Sequence, residues 1–230
     1  YSSAASDVYK RQKLDRLDGL AYYFQFTLNP YGADIEPNLP EKERLIEAFK
    51  ELSGKAGRQR VVWRYDPIIF NAGYTPEFHM RAFRELALRL APYTEKCTVS
   101  FLDDYLKIRS AIKKAGIYFP SDTLAEELIC SFADSARHAG IYIDACAEMG
   151  NFEKYGVGAA ACVDIGRFEK LGVKGLEYKK DKNQRPLCGC MKSVDIGAYN
   201  TCRSGCIYCY AGHLKNGCVL METGAEMLGE

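Results

Sequence analysis

Short runs rich in β-branched and aromatic residues alternate along this chain with longer segments whose apolar residues recur at helical spacing. That alternation commits the chain to a parallel sheet wrapped by helices. Residues 21–28, 60–66, 97–102 and 141–146 read as strands. Between them, Pro40 opens a helix that carries Leu45, Ile46, Phe49 and Leu52 on one face and stops at Gly54. Residues 76–90 place Phe78, Phe83, Leu86 and Leu90 near helical spacing, and 104–115 form a short helix. Ser121 caps a helix over 122–139, where Glu126 and Glu127 favour the positive end of its dipole. Short pieces follow, and 191–196 is expected as the last strand. The pattern predicts an α/β fold, a partial or complete (β/α) TIM-like barrel, with sites gathered where strands end and loops begin.

At 230 residues and 47% hydrophobic content, the chain can bury the core of one such domain. Thirty-one basic against 30 acidic residues leave a net charge of +1, which gives no electrostatic case for a nucleic-acid surface beyond a local patch. No apolar run approaches the ~20 residues that span a bilayer, so no membrane partner is expected. The ten cysteines concentrate in one third of a chain without a visible signal peptide, which reads as metal chemistry in a reducing cytoplasm. Residues 1–12 lack an initiator methionine and read as a non-native or disordered tail, 13–215 as the barrel domain, and 216–230 as a second tail.

Cys202, Cys206 and Cys209 stand in Cys202-Arg-Ser-Gly-Cys206-Ile-Tyr-Cys209, directly after the expected last strand. Three thiolates at this spacing can hold three irons of a 4Fe-4S cluster and leave the fourth iron open. A zinc site would need a fourth ligand from Cys188, Cys190, Cys218 or His213. Unliganded cysteines packed as small hydrophobes are the remaining reading.

The spacing, with Tyr208 before the last cysteine, resembles the cluster loop of radical S-adenosylmethionine enzymes. That resemblance implies reductive cleavage of S-adenosylmethionine to a 5'-deoxyadenosyl radical acting on an unknown substrate. It also implies Tyr208 against the adenine, and an electron donor such as flavodoxin or ferredoxin. The string Lys182-Asn-Gln-Arg-Pro-Leu-Cys-Gly-Cys-Met191, continuing to Asn200, is similar to domain-of-unknown-function family 1848, an uncharacterised bacterial family. So are Tyr22-Tyr-Phe-Gln-Phe-Thr-Leu28, Asp34-Ile-Glu-Pro37 and Val62-Trp-Arg-Tyr-Asp-Pro-Ile68. This likeness implies a cluster-bearing strand that comes last in sequence and a chain truncated at its N-terminus. Thr27, Glu36-Pro37, Arg44 and Pro67-Ile68 resemble, more distantly, spore-photoproduct-lyase-like proteins, which would imply a DNA-lesion lyase. A non-catalytic binding module stabilised by zinc or an iron-sulfur cluster is the rival class.

By position at strand ends, Thr27, Arg64, Asp66, Ser100, Asp103, Asp144 and Glu148 line the same mouth. Arg64 and Thr27 are the candidates for holding a cofactor, against the plainer reading of ion pairs and loop caps. Glu36 reads as a turn residue. Cys146, Cys162, Cys188 and Cys190 would make a second metal site if the fold gathers them. Cys97 and Cys130 are expected in the core, and His79 and His138 at surface or capping positions.

Overall fold

A computed structural model describes residues 14–197 and 200–212, with the side chains of Asp15 and Arg16 excepted. In chain order the elements are β1 (Phe24–Thr27), α1 (Lys42–Ala56), β2 (Val61–Ile68), α2 (Pro76–Leu90) and β3 (Lys96–Phe101), followed by α3 (Arg109–Lys114), α4 (Asp122–Ala139), β4 (Tyr142–Ala145), β5 (Gly158–Ala159) and α5 (Ile165–Lys170). All five strands are parallel and lie in the sheet in sequential order.

Local chemistry sets the helix ends. Pro76 sits at the first position of α2, where its missing N–H costs nothing, and Thr75 Oγ1 accepts from Phe78 N at 3.3 Å. Ser121 does the same for α4, accepting from Leu124 N at 3.3 Å, and Gly140 ends that helix at φ 70°. Helix α1 runs past Gly54 and stops at Gly57, whose φ of 92° a residue with a Cβ adopts only under strain.

The strand register separates two faces. Phe26, Trp63, Cys97 and Ile143 stand side by side on one of them, with Tyr65, Val99 and Ala145 in the next row. Helices α1, α2 and α4 cover this face through Phe49, Phe83 and Phe132, with Trp63 stacked on Phe83 at 5.0 Å and Phe83 on Phe132 at 4.0 Å.

The opposite face carries Gln25, Thr27, Arg64, Asp66, Lys96, Thr98, Ser100 and Asp144. A parallel sheet covered on both sides usually reads as a continuous apolar run. Here Arg64, Lys96, Thr98, Ser100 and Asp144 are all buried, so the polar face is an interior and each group on it needs a partner. The chain after β5 supplies the cover. Cys162 O accepts from Tyr23 Oη at 2.5 Å and from Gln25 Nε2 at 3.0 Å, and Asp164 N donates to Tyr23 Oη at 2.9 Å. Residues following one edge strand are thereby fastened to the other edge.

The expected strand at 191–196 does not form: Met191 alone makes an antiparallel bridge, to Lys180. Val194 and Ile196 are 85% and 78% exposed, so this apolar pattern has no second layer to bury it. The fifth strand is instead the two-residue β5, too short to leave a period in the sequence. The tails 1–12 and 216–230, with His213 and Cys218, lie outside the described residues.

Candidate functional site

Arg64 organises the carboxyl-terminal end of the polar face. Its Nε and Nη2 donate to Asp66 Oδ2 at 3.1 and 2.8 Å, while Nη1 donates to Gln25 Oε1 at 2.7 Å and to Cys162 Sγ at 2.8 Å. The planar guanidinium can serve a carboxylate, an amide and a sulfur at once, which an ammonium on a flexible stem does less well. Ser100 donates to the other Asp66 oxygen, and the Asn29 side chain bonds Asp66 N and Asp66 O at 2.9 Å each. One layer deeper, Lys96 Nζ pairs with Asp144 Oδ2 at 2.5 Å and reaches Asp164 Oδ2 at 3.4 Å. Thr98 Oγ1 donates to Asp144 Oδ1 at 2.6 Å.

Four cysteines gather against this network. Cys146 follows β4, and its Sγ lies 3.7 Å from Cys162 Sγ. Cys190 Sγ accepts from Cys162 N at 3.1 Å and from Val163 N at 3.4 Å, and Cys188 Sγ accepts from Cys190 N at 3.5 Å. Gly189 permits the approach, because a Cβ there would stand 3.1 Å from Ala160 O. The hydrogen bond from Cys146, then that from Cys190, then the Arg64 guanidinium hold the Cys162 thiol far below its ordinary pKa, against the opposing effect of burial. Cys146 is pushed up, first by its hydrogen bond to Cys162 and then by burial. Cys190 moves the same way for the same reasons. These directions favour ionisation at Cys162 over its two neighbours.

At the rim, Arg185 Nη1 pairs with Asp103 Oδ2 at 2.5 Å and its Nη2 donates to Cys146 O at 3.3 Å. Glu148 Oε1 accepts from Phe101 N at 2.8 Å, and burial lifts its carboxyl to about 7.

The loop of Cys202, Cys206 and Cys209 packs against residues 35–38, between β1 and α1. Asn38 Nδ2 donates to Arg203 O at 2.9 Å, Ile207 N to Ile35 O at 3.1 Å, and Tyr208 Oη to Glu36 Oε1 at 2.5 Å. Glu36 is also bonded by Lys42 and by Asn29 Nδ2 at 3.4 Å. Cys202 Sγ donates to Ser204 Oγ at 3.3 Å and accepts from Ser204 N at 3.5 Å. Burial, then the Glu36 carboxylate, raises the Cys206 thiol to about 12.

A family model described as a domain of unknown function, DUF1848, matches residues 4–211. The chain belongs to this family. No curated protein and no solved structure matches it. For this DUF1848 member the metal expectations do not survive. Among the described residues no group of three or more His, Cys, Asp or Glu side chains could hold a metal ion. In the C-terminal loop, Cys202 Sγ is bonded to Ser204 of its own loop, and the described cysteines there form no metal-holding group. The zinc alternative falls on the same finding, and its candidates Cys218 and His213 are outside the described residues. Cys146, Cys162, Cys188 and Cys190 are linked through their sulfurs and neighbouring N–H groups, but they too form no metal-holding group. With the cluster go the S-adenosylmethionine chemistry, the lesion-lyase and metal-stabilised-module readings, and the flavodoxin or ferredoxin donor. The family match lends nothing to the spore-photoproduct-lyase likeness. Among the described residues no helix is long and apolar enough to cross a membrane.

Of the expected site residues, Arg64, Asp66 and Ser100 meet directly, and Thr27 stands beside Arg64 in register. Tyr208 is instead a half-buried anchor between the loop and Glu36, which is 2% exposed and no ordinary turn residue. His79 is fully buried, bonded to Tyr65 Oη at 2.7 Å and Ile69 O at 2.8 Å, not at the surface. Gln25, Tyr23, Lys96 and Arg185 were not anticipated. The alternations Lys-Cys-Thr-Val-Ser-Phe in β3 and Phe-Gln-Phe-Thr in β1 are the signals that point to a polar interior.

Proposed function

We propose that the mouth of the sheet is a thiol–disulfide exchange site, with Cys162 as the attacking thiolate and Cys146 as the resolving thiol. The observation that supports this reading is the pair of distances at Cys162 Sγ: 2.8 Å to Arg64 Nη1 and 3.7 Å to Cys146 Sγ. A thiolate is the nucleophile in such exchange, and a neighbouring cation that stabilises it marks reactive cysteines off from inert buried ones. Cys162 attacks one sulfur of a disulfide R–S–S–R, forms Cys162–S–S–R and expels RS⁻. Cys146 then passes its proton to the expelled RS⁻, attacks Cys162 Sγ and expels the second RS⁻, which is protonated by water. Two protein sulfurs are oxidised to a Cys146–Cys162 disulfide while one substrate disulfide is reduced to two thiols. The two sulfurs start near van der Waals contact and need close only to the ~2.05 Å of an S–S bond. The Tyr23 and Gln25 bonds to Cys162 O further support reading residues 13–215 as a partial barrel drawn together over this site.

Anaerobic incubation of the reduced full chain with 2-hydroxyethyl disulfide, followed by peptide mapping, tests the reading. The expected products are a Cys146–Cys162 disulfide and two equivalents of mercaptoethanol. Cys146→Ser stops at a mixed disulfide on Cys162, and Cys162→Ser gives neither product. Modification confined to other cysteines, with Cys146 and Cys162 still reduced, overturns it.

A further inference from the structure

A resolving cysteine must carry negative charge while it attacks, and Cys146 is 5% exposed, so water stabilises that charge far less than it would at a surface. Arg64 is directed at the other sulfur: Nη1 lies on Cys162 Sγ, while Nε and Nη2 are given to Asp66. A second guanidinium reaches Cys146. Arg185 Nη2 stands 3.8 Å from Cys146 Sγ and donates to Cys146 O at 3.3 Å, while Nη1 is held on Asp103 Oδ2 at 2.5 Å. Tyr105 Oη donates to the same Asp103 oxygen at 3.1 Å, and Cys188 N donates to Arg185 O at 2.9 Å, so both the carboxylate and the arginine backbone are tied down. Each of the two reacting sulfurs thereby has its own guanidinium, one from β2 and one from the segment that follows α5.

We propose that Arg185 is the catalytic cation of the resolving step, stabilising the charge that develops on Cys146 Sγ as it attacks the mixed disulfide. The inference rests on the thiol–disulfide reading above. Cys162, Arg64 and Asp66 face Cys146, and Asp103, Tyr105 and Glu148 face Arg185. In the reduced protein the hydrogen bond to Cys162, then burial, raises the Cys146 thiol. Once the Cys162 sulfur is tied up in Cys162–S–S–R it carries no charge, the first of those effects is gone, and both guanidiniums remain. Cys146 then passes its proton to the departing RS⁻ and attacks. Arg185 keeps its own proton throughout, and no bond to it forms or breaks.

The test follows the reduced full chain and its Arg185→Gln and Arg185→Lys variants after mixing with 2-hydroxyethyl disulfide, whose lack of charge removes any effect of Arg185 on substrate attraction. Acid quenching and mass spectrometry give the mixed disulfide on Cys162 and the Cys146–Cys162 disulfide against time. Arg185→Gln is expected to slow resolution about tenfold while the rate of the first attack changes less than about twofold, so the mixed disulfide accumulates. Arg185→Lys, which keeps the charge and loses the fork, recovers part of the resolution rate. A second measurement needs no exchange. In Cys162→Ser, where an uncharged hydroxyl replaces the first sulfur, the Cys146 thiolate absorbance is titrated as the difference from Cys146→Ser/Cys162→Ser, and adding Arg185→Gln should raise its midpoint by about half a unit or more. If Cys146→Ser forms no mixed disulfide on Cys162, the exchange reading itself fails. If the mixed disulfide forms and Arg185→Gln resolves it at the wild-type rate, only the role of Arg185 is overturned. An unmoved Cys146 midpoint overturns that role whatever the exchange result.

Discussion

Arg64 Nη1 and Cys162 Sγ stand 2.8 Å apart although 98 residues separate them in the chain. The contact joins β2 to the segment after β5, and the same segment is fastened to β1 through Gln25 and Tyr23. An arginine on an interior sheet face needs anionic or acceptor partners from every side, and Asp66, Gln25 and Cys162 supply them. The geometry that satisfies Arg64 is therefore the geometry that sets a cation against the Cys162 sulfur.

The Lys96–Asp144 pair makes the polar interior testable by stability. Both side chains are less than one-tenth exposed. Lys96→Met leaves Asp144 as an unpaired buried carboxylate and is expected to cost about 3–5 kcal/mol. Adding Asp144→Asn preserves an acceptor for Thr98 and removes the stranded charge, so the double variant recovers most of that loss. Urea unfolding of the single and double variants checks this; a double variant as unstable as the single one would speak against it.

Tyr208→Phe removes the hydroxyl that reaches Glu36 at 2.5 Å and leaves a buried carboxylate one donor short. A loss of about 1–3 kcal/mol is expected. Because Tyr208 pins the loop that buries Cys206, Cys206 should also react faster with an aromatic disulfide reagent. A stopped-flow comparison with wild type reads both amplitude and rate, and an unchanged Cys206 rate would show that Tyr208 does not hold the loop.

Burial lowers the pKa of His79 from 6.5 to about 4, while its two ring nitrogens are bonded to Tyr65 Oη and Ile69 O. A group whose folded pKa lies below its unfolded value binds fewer protons when folded between those two values. Its contribution is complete above 6.5 and is lost as pH falls toward 4. The loss across that window is about 3 kcal/mol. His79→Gln should flatten this part of the stability profile, measured by thermal unfolding in a series of buffers; an unchanged slope would assign the acid sensitivity elsewhere.

The helices and the polar face differ in how far they could be read from sequence. Residues 76–90 and 122–139 match α2 and α4 because Pro76, Thr75, Ser121 and Gly140 are local signals at their ends. The first strand reads too long, at 21–28 against Phe24–Thr27, because Tyr23 looks like a strand aromatic while its hydroxyl is committed to Cys162 and Asp164, 139 and 141 residues away. Arg64, Asp66 and Ser100 could be placed at the mouth from strand periodicity alone. Their convergence with Cys162 could not, since it depends on where residues 160–164 cross the sheet. The C-terminal cysteines show the complementary error. Spacing states how close three sulfurs could come, whereas the direction of Cys202 depends on Ser204 and the seating of the loop on Glu36 and Tyr208.

The most direct test is the pH titration of the ultraviolet thiolate absorbance, taken as the difference between wild type and Cys162→Ser, with the same difference measured in an Arg64→Gln background. The arrangement at the sheet mouth predicts that Cys162 is ionised well below the ordinary cysteine value of about 8.5 and that Arg64→Gln moves its midpoint up by about one unit or more. A wild-type midpoint at the ordinary value, or one that Arg64→Gln leaves in place, would contradict it.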